Sequence, residues 1–131
     1  MDVNDSLANC RMIACREPSD GNEWNFYALN DGKESLWSVT LLEVGYEWGP
    51  SYTTKRPDTR VNDLAPGASS LMWRDDGSGA ELRMDFSMRV RVGDREETVR
   101  FEFPRLYRKR TLPLVPELGK PGWEGRRIAL R

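Results

Sequence analysis

Polar and apolar side chains alternate without interruption over residues 81–92. Successive side chains point to opposite faces in a β-strand, whereas a helix face repeats about every 3.6 residues. The even-numbered side chains are all apolar, namely Leu82, Met84, Phe86, Met88, Val90 and Val92. The odd-numbered ones are polar or charged. This segment is therefore predicted to be a strand with one buried and one solvated face.

A second alternating segment follows the turn-forming pair Gly93-Asp94. Its apolar residues again occupy every second position, at Val99, Phe101 and Phe103. The two apolar sets share one sheet face only if the loop between them has an even number of residues. A two-residue loop would place Phe86 opposite Phe101, and a four-residue loop would place Val90 opposite Val99. We predict the two-residue loop.

Turn-forming residues divide the rest of the chain into further short, strand-like runs. These cover residues 11–16, 24–29, 36–48, 51–54, 61–64 and 69–74. The longest run changes phase between Leu41 and Leu42, which indicates a bulge or a strand covered on both faces. Turn signals recur about every 8–12 residues, and no amphipathic helix is evident. The sequence therefore predicts an all-β protein, an antiparallel β-sandwich of seven to eight strands.

The chain contains no histidine. Nucleophilic catalysis by Ser-His-Asp or Cys-His groups and metal binding through imidazole are therefore excluded. We expect no enzymatic activity, no cofactor and no metal ion. The acidic loop at residues 75–81 lacks the spacing of an EF-hand and is interpreted as a solvated turn rather than a calcium site.

Two cysteines, Cys10 and Cys15, are too few for a disulfide scaffold or a four-sulfur zinc site. On a strand their Cα atoms would lie about 16 Å apart, beyond the reach of a disulfide at about 7 Å. Both thiols are expected to be free, and a cytoplasmic location is expected with them. No apolar run exceeds four residues, so no membrane insertion is expected.

Charge changes sign along the chain. Residues 1–50 carry nine acidic and three basic side chains, whereas residues 104–131 carry two acidic and eight basic ones. We place a sandwich domain at residues 1–107 and an extended Pro/Gly-rich basic C-terminal tail at residues 108–131. The tail cations are expected to lie against the acidic first half, to stay in solvent or to meet an acidic partner. Large apolar side chains in the tail predict that it docks on its own domain or on a neighbour.

Three runs with characteristic turns carry a resemblance to a known family. They cover residues 26–32 (FYALNDG), 36–41 (LWSVTL) and 64–69 (LAPGAS). Together they resemble the bacterial Ig-like domains of the adhesion-related (CARDB-like) type, in which an Asn-x-Gly turn joins the second and third strands and a Leu-x-Pro-Gly turn follows later. Pro66 presets φ and Gly67 supplies the positive φ of a type II turn. The resemblance implies an Ig-like sandwich.

Aromatic side chains supply one candidate site. Tyr46 and Trp48 share a strand face, and Tyr52 lies just beyond the following Gly49-Pro50 turn. The three are interpreted either as a patch for a sugar or peptide or as packing between the sheets.

A cationic cluster supplies the second candidate site. It comprises Arg105, Arg108, Lys109 and Arg110 around Tyr107, followed by Arg126, Arg127 and Arg131, with Trp123 as an aromatic residue of the tail. Such a cluster can meet phosphates, an acidic protein surface or the acidic half of its own chain. The sequence pI of about 5.6 argues against dedicated nucleic-acid binding.

These features favour a non-enzymatic protein-interaction or assembly module that joins a protein partner or a second copy of itself. It would use an open sheet edge or the tail. The alternative is a ligand-binding module with the aromatic patch, and a third hypothesis is a histidine-free enzyme of unknown type.

Overall fold

The structure is a computed structural model that describes residues 9–18, 21–109 and 111–130. The described chain contains twelve strands and two 3-10 turns, at Gly79–Glu81 and Leu106–Arg108. The strands are β1 Cys10–Arg16, β2 Trp24–Asn30, β3 Leu36–Trp48, β4 Ser51–Lys55, β5 Arg60–Leu64, β6 Ser69–Asp75, β7 Arg83–Val92, β8 Arg95–Phe103, β9 Leu114–Val115, β10 Lys120–Pro121, β11 Trp123–Glu124 and β12 Arg126–Ile128. Within the described ranges, no helix is long and apolar enough to cross a membrane.

Ten of the twelve strands form two antiparallel sheets that face each other, and β9 and β10 form a separate two-stranded hairpin. One sheet has the order β11-β1-β2-β6, and the other has the order β12-β8-β7-β3-β4 with β5 also paired to β3. The sheet that contains β1, β2 and β6 thus packs against the sheet that contains β3, β7 and β8, which is the arrangement of an immunoglobulin sandwich. Phe26 contacts Phe86 and Phe103 across the gap, with ring centroids 4.6 and 5.1 Å apart. The predicted all-β, Ig-like antiparallel sandwich is confirmed.

The hairpin of β7 and β8 has the register expected from its sequence. Phe86 lies opposite Phe101, and Arg91 lies opposite Glu96. The loop is therefore the two-residue Gly93-Asp94 connection, because only that length gives this pairing. The register places the apolar side chains of both strands in the core.

Strand β3 contains a bulge at its change of phase. Leu41 pairs with Met88 and Val44 pairs with Phe86, so that three steps along β3 oppose two steps along β7. The extra residue lets Leu41 and Val44 both face the core, although a regular strand would turn one of them outward. Both are fully buried. The bulge also determines that Tyr46, further along β3, faces inward.

Asn30 joins the two turns that carry the family resemblance. Its backbone N–H donates to the Ala68 carbonyl at 3.0 Å, and its carbonyl accepts from the Gly67 N–H at 2.7 Å. Its side chain donates to the Leu64 carbonyl at 2.9 Å and accepts from the Gly32 N–H at 3.0 Å. The buried amide therefore satisfies both turns at once, which explains physically why the two motifs occur together.

The tail contributes strands to both sheets. β11 pairs with β1, where Ile13 lies opposite Glu124. β12 pairs with β8, where Arg127 lies opposite Phe101. Between them, Gly125 passes so close to the core that an added Cβ would lie 2.5 Å from a ring carbon of Phe103. The tail was predicted to dock either on its own domain or on a neighbour. The described tail residues dock on their own domain.

The hairpin of β9 and β10 lies on the outer face of β1 and β2. Val115 packs there with Ile13 and Cys15 in a small apolar cluster separate from the main core. Lys120 Nζ fixes the hairpin by donating to Glu17 Oε2 at 2.8 Å and to the Tyr27 hydroxyl at 3.0 Å. The tail is thus held by apolar and polar contacts together.

The two cysteines face opposite sides of β1. Cys10 lies in the main core, and Cys15 lies under the tail hairpin. Both are free, as predicted. Burial raises the pKa of Cys10 to about 12 and that of Cys15 to about 11. Neither thiol is a ready nucleophile, because only the thiolate is reactive.

Candidate functional site

The cationic cluster is presented by the short 3-10 turn that follows β8. Pro104 ends the strand, and Leu106 is fully buried, which anchors the turn to the core. The Lys109 N–H closes it by donating to the Leu106 carbonyl at 2.8 Å. With Leu106 directed inward, the neighbouring Arg105 and Arg108 are left to project toward solvent.

These cations line a groove of about 650 Å³ between the turn and the tail. Trp123 of β11 forms part of the opposite wall. Lys109 Nζ lies 4.2 Å from the centroid of the Trp123 ring, which is a cation–π contact. The groove exists only because the tail pairs with β1 and brings Trp123 next to the turn.

The two carboxylates that line the groove are already paired with arginines. Glu102 forms ion pairs with Arg126 and, at 4.0 Å, with Arg83. Glu124 accepts two hydrogen bonds from Arg11, at 2.9 and 2.7 Å. Neither glutamate is therefore available to neutralise the turn.

The remaining groove cations lack such a partner. No described carboxylate lies within 4.0 Å of Arg105, Arg108 or Lys109. Three positive charges thus face the groove and its rim without an ion-pair partner among the described residues. Anionic groups of another molecule would be attracted here.

The pKa of Tyr107 reflects the positive electrostatic potential around the turn. Its phenol pKa is lowered, first because Arg108 Nε donates to the phenol oxygen at 3.0 Å and then because of the positive charges of Arg108 and Arg105. Nearby cations favour the anionic form of a titrating group. The same field would stabilise a carboxylate brought to the groove.

Four of the residues predicted for binding meet in this groove, namely Arg105, Arg108, Lys109 and Trp123. Arg110 lies outside the described residues. Arg126, which belongs to the predicted cationic cluster, lines the groove as well, whereas Arg83 and Glu102 line it but were not expected there. The position of Arg83 could have been predicted from the hairpin register. If the pairing set by the two-residue loop is continued along both strands, Arg83 lies opposite Pro104, next to the cationic turn.

The three aromatic residues of the other predicted site are not brought together. Tyr46 is in the core with 9% of its surface exposed, whereas Trp48 is 66% exposed. Tyr52 pairs with Glu47 and therefore lies on the outer face of the sheet. Its hydroxyl donates to Asp85, 2.9 and 3.0 Å from the two carboxylate oxygens. The aromatic patch does not form as one surface.

The acidic loop uses its first carboxylate to build a turn. Asp75 accepts backbone hydrogen bonds from Gly77 at 2.9 Å, Gly79 at 3.2 Å and Ala80 at 3.1 Å. In the ranges that the structure describes, no group of three or more His, Cys, Asp or Glu side chains could hold a metal ion. Asp75 thus has a structural role in the fold of this loop.

No protein-family model matches this chain, and no curated protein matches it. Function is therefore inferred from the geometry of the groove and the fold around it.

Proposed function

We propose that this domain is a non-enzymatic protein-interaction module that binds an acidic segment of a partner protein in the groove beside Trp123. The observation that carries the proposal is the set of cations without a carboxylate partner in the described chain, Arg105, Arg108 and Lys109, next to an aromatic wall. Acidic side chains of a partner would supply the missing charges, and an apolar side chain among them would pack on the indole.

A peptide fits the groove better than a nucleic acid. The chain as a whole has a formal net charge of -1, so it lacks the broad positive surface of a nucleic-acid-binding domain. A short acidic segment needs only the three cations at one end of the groove.

The chemistry of the groove supports binding rather than catalysis. Its lining consists of arginines, a lysine, paired glutamates and apolar groups, with no nucleophile beside a base. The two thiols of the chain are buried elsewhere. Interaction is therefore the function that these residues favour.

We also propose that the domain is of the bacterial, adhesion-related (CARDB-like) type and works in the cytoplasm. Support for the family type comes from Asn30, whose hydrogen bonds hold both signature turns. The proposal of the cytoplasm rests on the two cysteines, Cys10 and Cys15, which are both free.

Self-association is a second candidate function, favoured by one observation. β4 pairs with β3 on one side only, and the hairpin that presents it carries the exposed Trp48. An unpaired edge strand beside an exposed aromatic side chain can pair with the same edge of a second copy.

Binding of a short, fluorescein-labelled, glutamate-rich peptide tests the main proposal by fluorescence anisotropy. The triple variant Arg105→Ala, Arg108→Ala, Lys109→Ala should weaken binding by about tenfold or more. The matched control is Lys33→Ala, Arg56→Ala, Arg60→Ala, which removes the same charge from exposed positions elsewhere. A glutamine version of the peptide should not bind. Equal losses in the two triple variants would show general charge attraction instead of a site.

A further inference from the structure

A second cleft lies on the side of the sandwich away from the tail. There β4 and β6 are edge strands, each with a single pairing partner, β3 and β2 respectively. The cleft between them has a volume of about 440 Å³. Its walls include Tyr46, Thr53, Lys55, Trp73, Asp76 and Leu82.

Trp73 brings an unsatisfied donor to this cleft. Its indole Nε1 is buried and forms no hydrogen bond of good geometry among the described residues, although the Tyr46 hydroxyl lies close enough to interact with it. An indole nitrogen can only donate, and buried donors are rarely left unpaired because that is costly. The side chain is therefore suited to an acceptor oxygen supplied by another molecule.

Other donors converge on the same cleft. Burial, followed by the negative charge of Asp75, raises the pKa of Tyr46 to about 12, so its hydroxyl keeps its proton. Thr53 lies opposite Tyr46 in the β3–β4 pairing and shares its face. Lys55 is on that face as well, with Nζ 5.6 Å from the centroid of the Tyr46 ring.

The acceptors near the cleft are already engaged, and its charges balance. Asp75 accepts from backbone amides of its own loop, and Asp76 accepts from the Ser78 N–H at 2.9 Å and the Ser78 hydroxyl at 2.6 Å. Their two negative charges oppose those of Lys55 and Arg74. A donor-rich cleft without net charge suits a neutral ligand that carries acceptor oxygens.

We propose that this cleft binds a neutral saccharide. Its hydroxyl or ring oxygens would accept from Trp73 Nε1 and from the Tyr46 and Thr53 hydroxyls, while its apolar ring face would pack against the aromatic walls. The site shares no residue with the groove beside Trp123. The saccharide site therefore stands or fails independently of the proposed protein interaction.

Indole N–H signals in ¹⁵N NMR spectra test the proposal directly, with the Trp73 signal assigned from Trp73→Phe. Titration with glucose, galactose and maltose should move the Trp73 signal in a saturable manner and leave that of the exposed Trp48 unchanged. Glucuronate serves as the anionic probe, and N-acetylalanine methylamide serves as the peptide probe. A shift caused only by glucuronate or only by the amide would overturn the saccharide assignment, as would the absence of any shift.

Neighbouring threonines supply matched variants that leave the core intact. Thr53 faces the cleft and Thr54 faces away from it, and both are exposed. Thr53→Val should weaken saccharide binding by about three- to tenfold, the effect of one lost hydrogen bond, and Thr54→Val should leave it unchanged. Equal effects of the two variants would overturn the proposed location.

Discussion

The two sides of the sandwich are protected in different ways. On one side the tail adds β11 to β1 and β12 to β8, so that both sheets are extended by the same stretch of chain. On the other side β4 and β6 have no further strand, and β4 is composed of polar residues that are mostly exposed. Edge strands must be covered or made unattractive to other strands, and this domain uses one solution on each side.

This difference also separates the two candidate sites. The cationic groove forms where the tail crosses from one sheet to the other, because Trp123 and the turn after β8 meet only there. The donor-rich cleft lies where nothing crosses, between inward-facing side chains of β4 and β6. Perturbing the tail should therefore affect the groove and leave the cleft largely unchanged.

Removal of the tail should have the largest effect. Deletion of residues 111–131 unpairs β1 and β8 and exposes Ile13, Cys15 and Phe103. The loss should be about 5 kcal/mol or more, comparable to the total stability of a domain of this size. Urea denaturation monitored by circular dichroism measures the loss. Unchanged stability of the truncated domain would contradict the claim that the tail stabilises the domain by covering the edges of β1 and β8.

Addition of a methyl group at Gly125, where the tail passes closest to the core, should have the next largest effect on stability. In Gly125→Ala the new Cβ would meet the ring of Phe103, which is itself buried. Overpacking of this kind costs about 1–3 kcal/mol. On the open side, Ser51→Ala in β4 should change stability by about 0.5 kcal/mol or less. Comparable losses in the two variants, measured by thermal denaturation, would remove the contrast between the sides.

The polar anchor of the tail should give a smaller, pH-dependent effect. Burial alone would raise the pKa of Glu17, but hydrogen bonds from Lys120, Tyr27 and Asn25 outweigh it and lower that pKa. A carboxylate with a lowered pKa contributes stability above its unfolded pKa of about 4.3 and loses it as pH falls through the folded value.

Lys120→Met should therefore be less stable than the wild type near neutral pH, by about 1 kcal/mol for this partly exposed pair. The difference should shrink as pH falls from about 5 toward 3. Urea denaturation across this range measures it, with Arg56→Met as the control on a distant, exposed side chain. A difference that is independent of pH would show that Lys120 acts through packing alone.

The smallest effect on stability is expected at Trp48. The side chain is mostly exposed, so Trp48→Ser should alter the free energy of unfolding by about 0.5 kcal/mol or less. If the open edge mediates self-association, the variant should reduce it. Sedimentation velocity over a concentration series separates these effects, with Trp37→Ser as a control on another exposed tryptophan. Identical oligomeric states in all three proteins would argue against pairing through β4.

The strand pairing of the sheets could be predicted from the sequence, whereas the strand pairing of the tail could not, for a physical reason. The alternation of polar and apolar residues over many positions predicts which faces of β7 and β8 are buried. The length of the turn then predicts that Phe86 lies opposite Phe101, as observed. The tail strands contain only two or three residues each, too few to express a period. Their pairing depends on distant partners such as Arg11 with Glu124, which local patterns do not encode.

The same division holds for the candidate sites. The cluster from Arg105 to Lys109 is contiguous in sequence and was recognisable from its charge. Its location beside Trp123 required the fold, since the tryptophan reaches the turn only through β11. The donor of Trp73 was not recognisable at all, because an unpaired N–H depends on the positions of surrounding acceptors.

The closing role of the tail has a consequence for the order of synthesis. Arg11 and Glu124 pair across 113 positions of sequence, so β1 is made long before its outer neighbour. Until residues 123–128 leave the ribosome, the edges of β1 and β8 remain open to other chains. Contacts between such distant residues also slow folding, because a long loop must close first. The nascent domain is therefore exposed to aggregation through these two edges until residues 123–128 have been made.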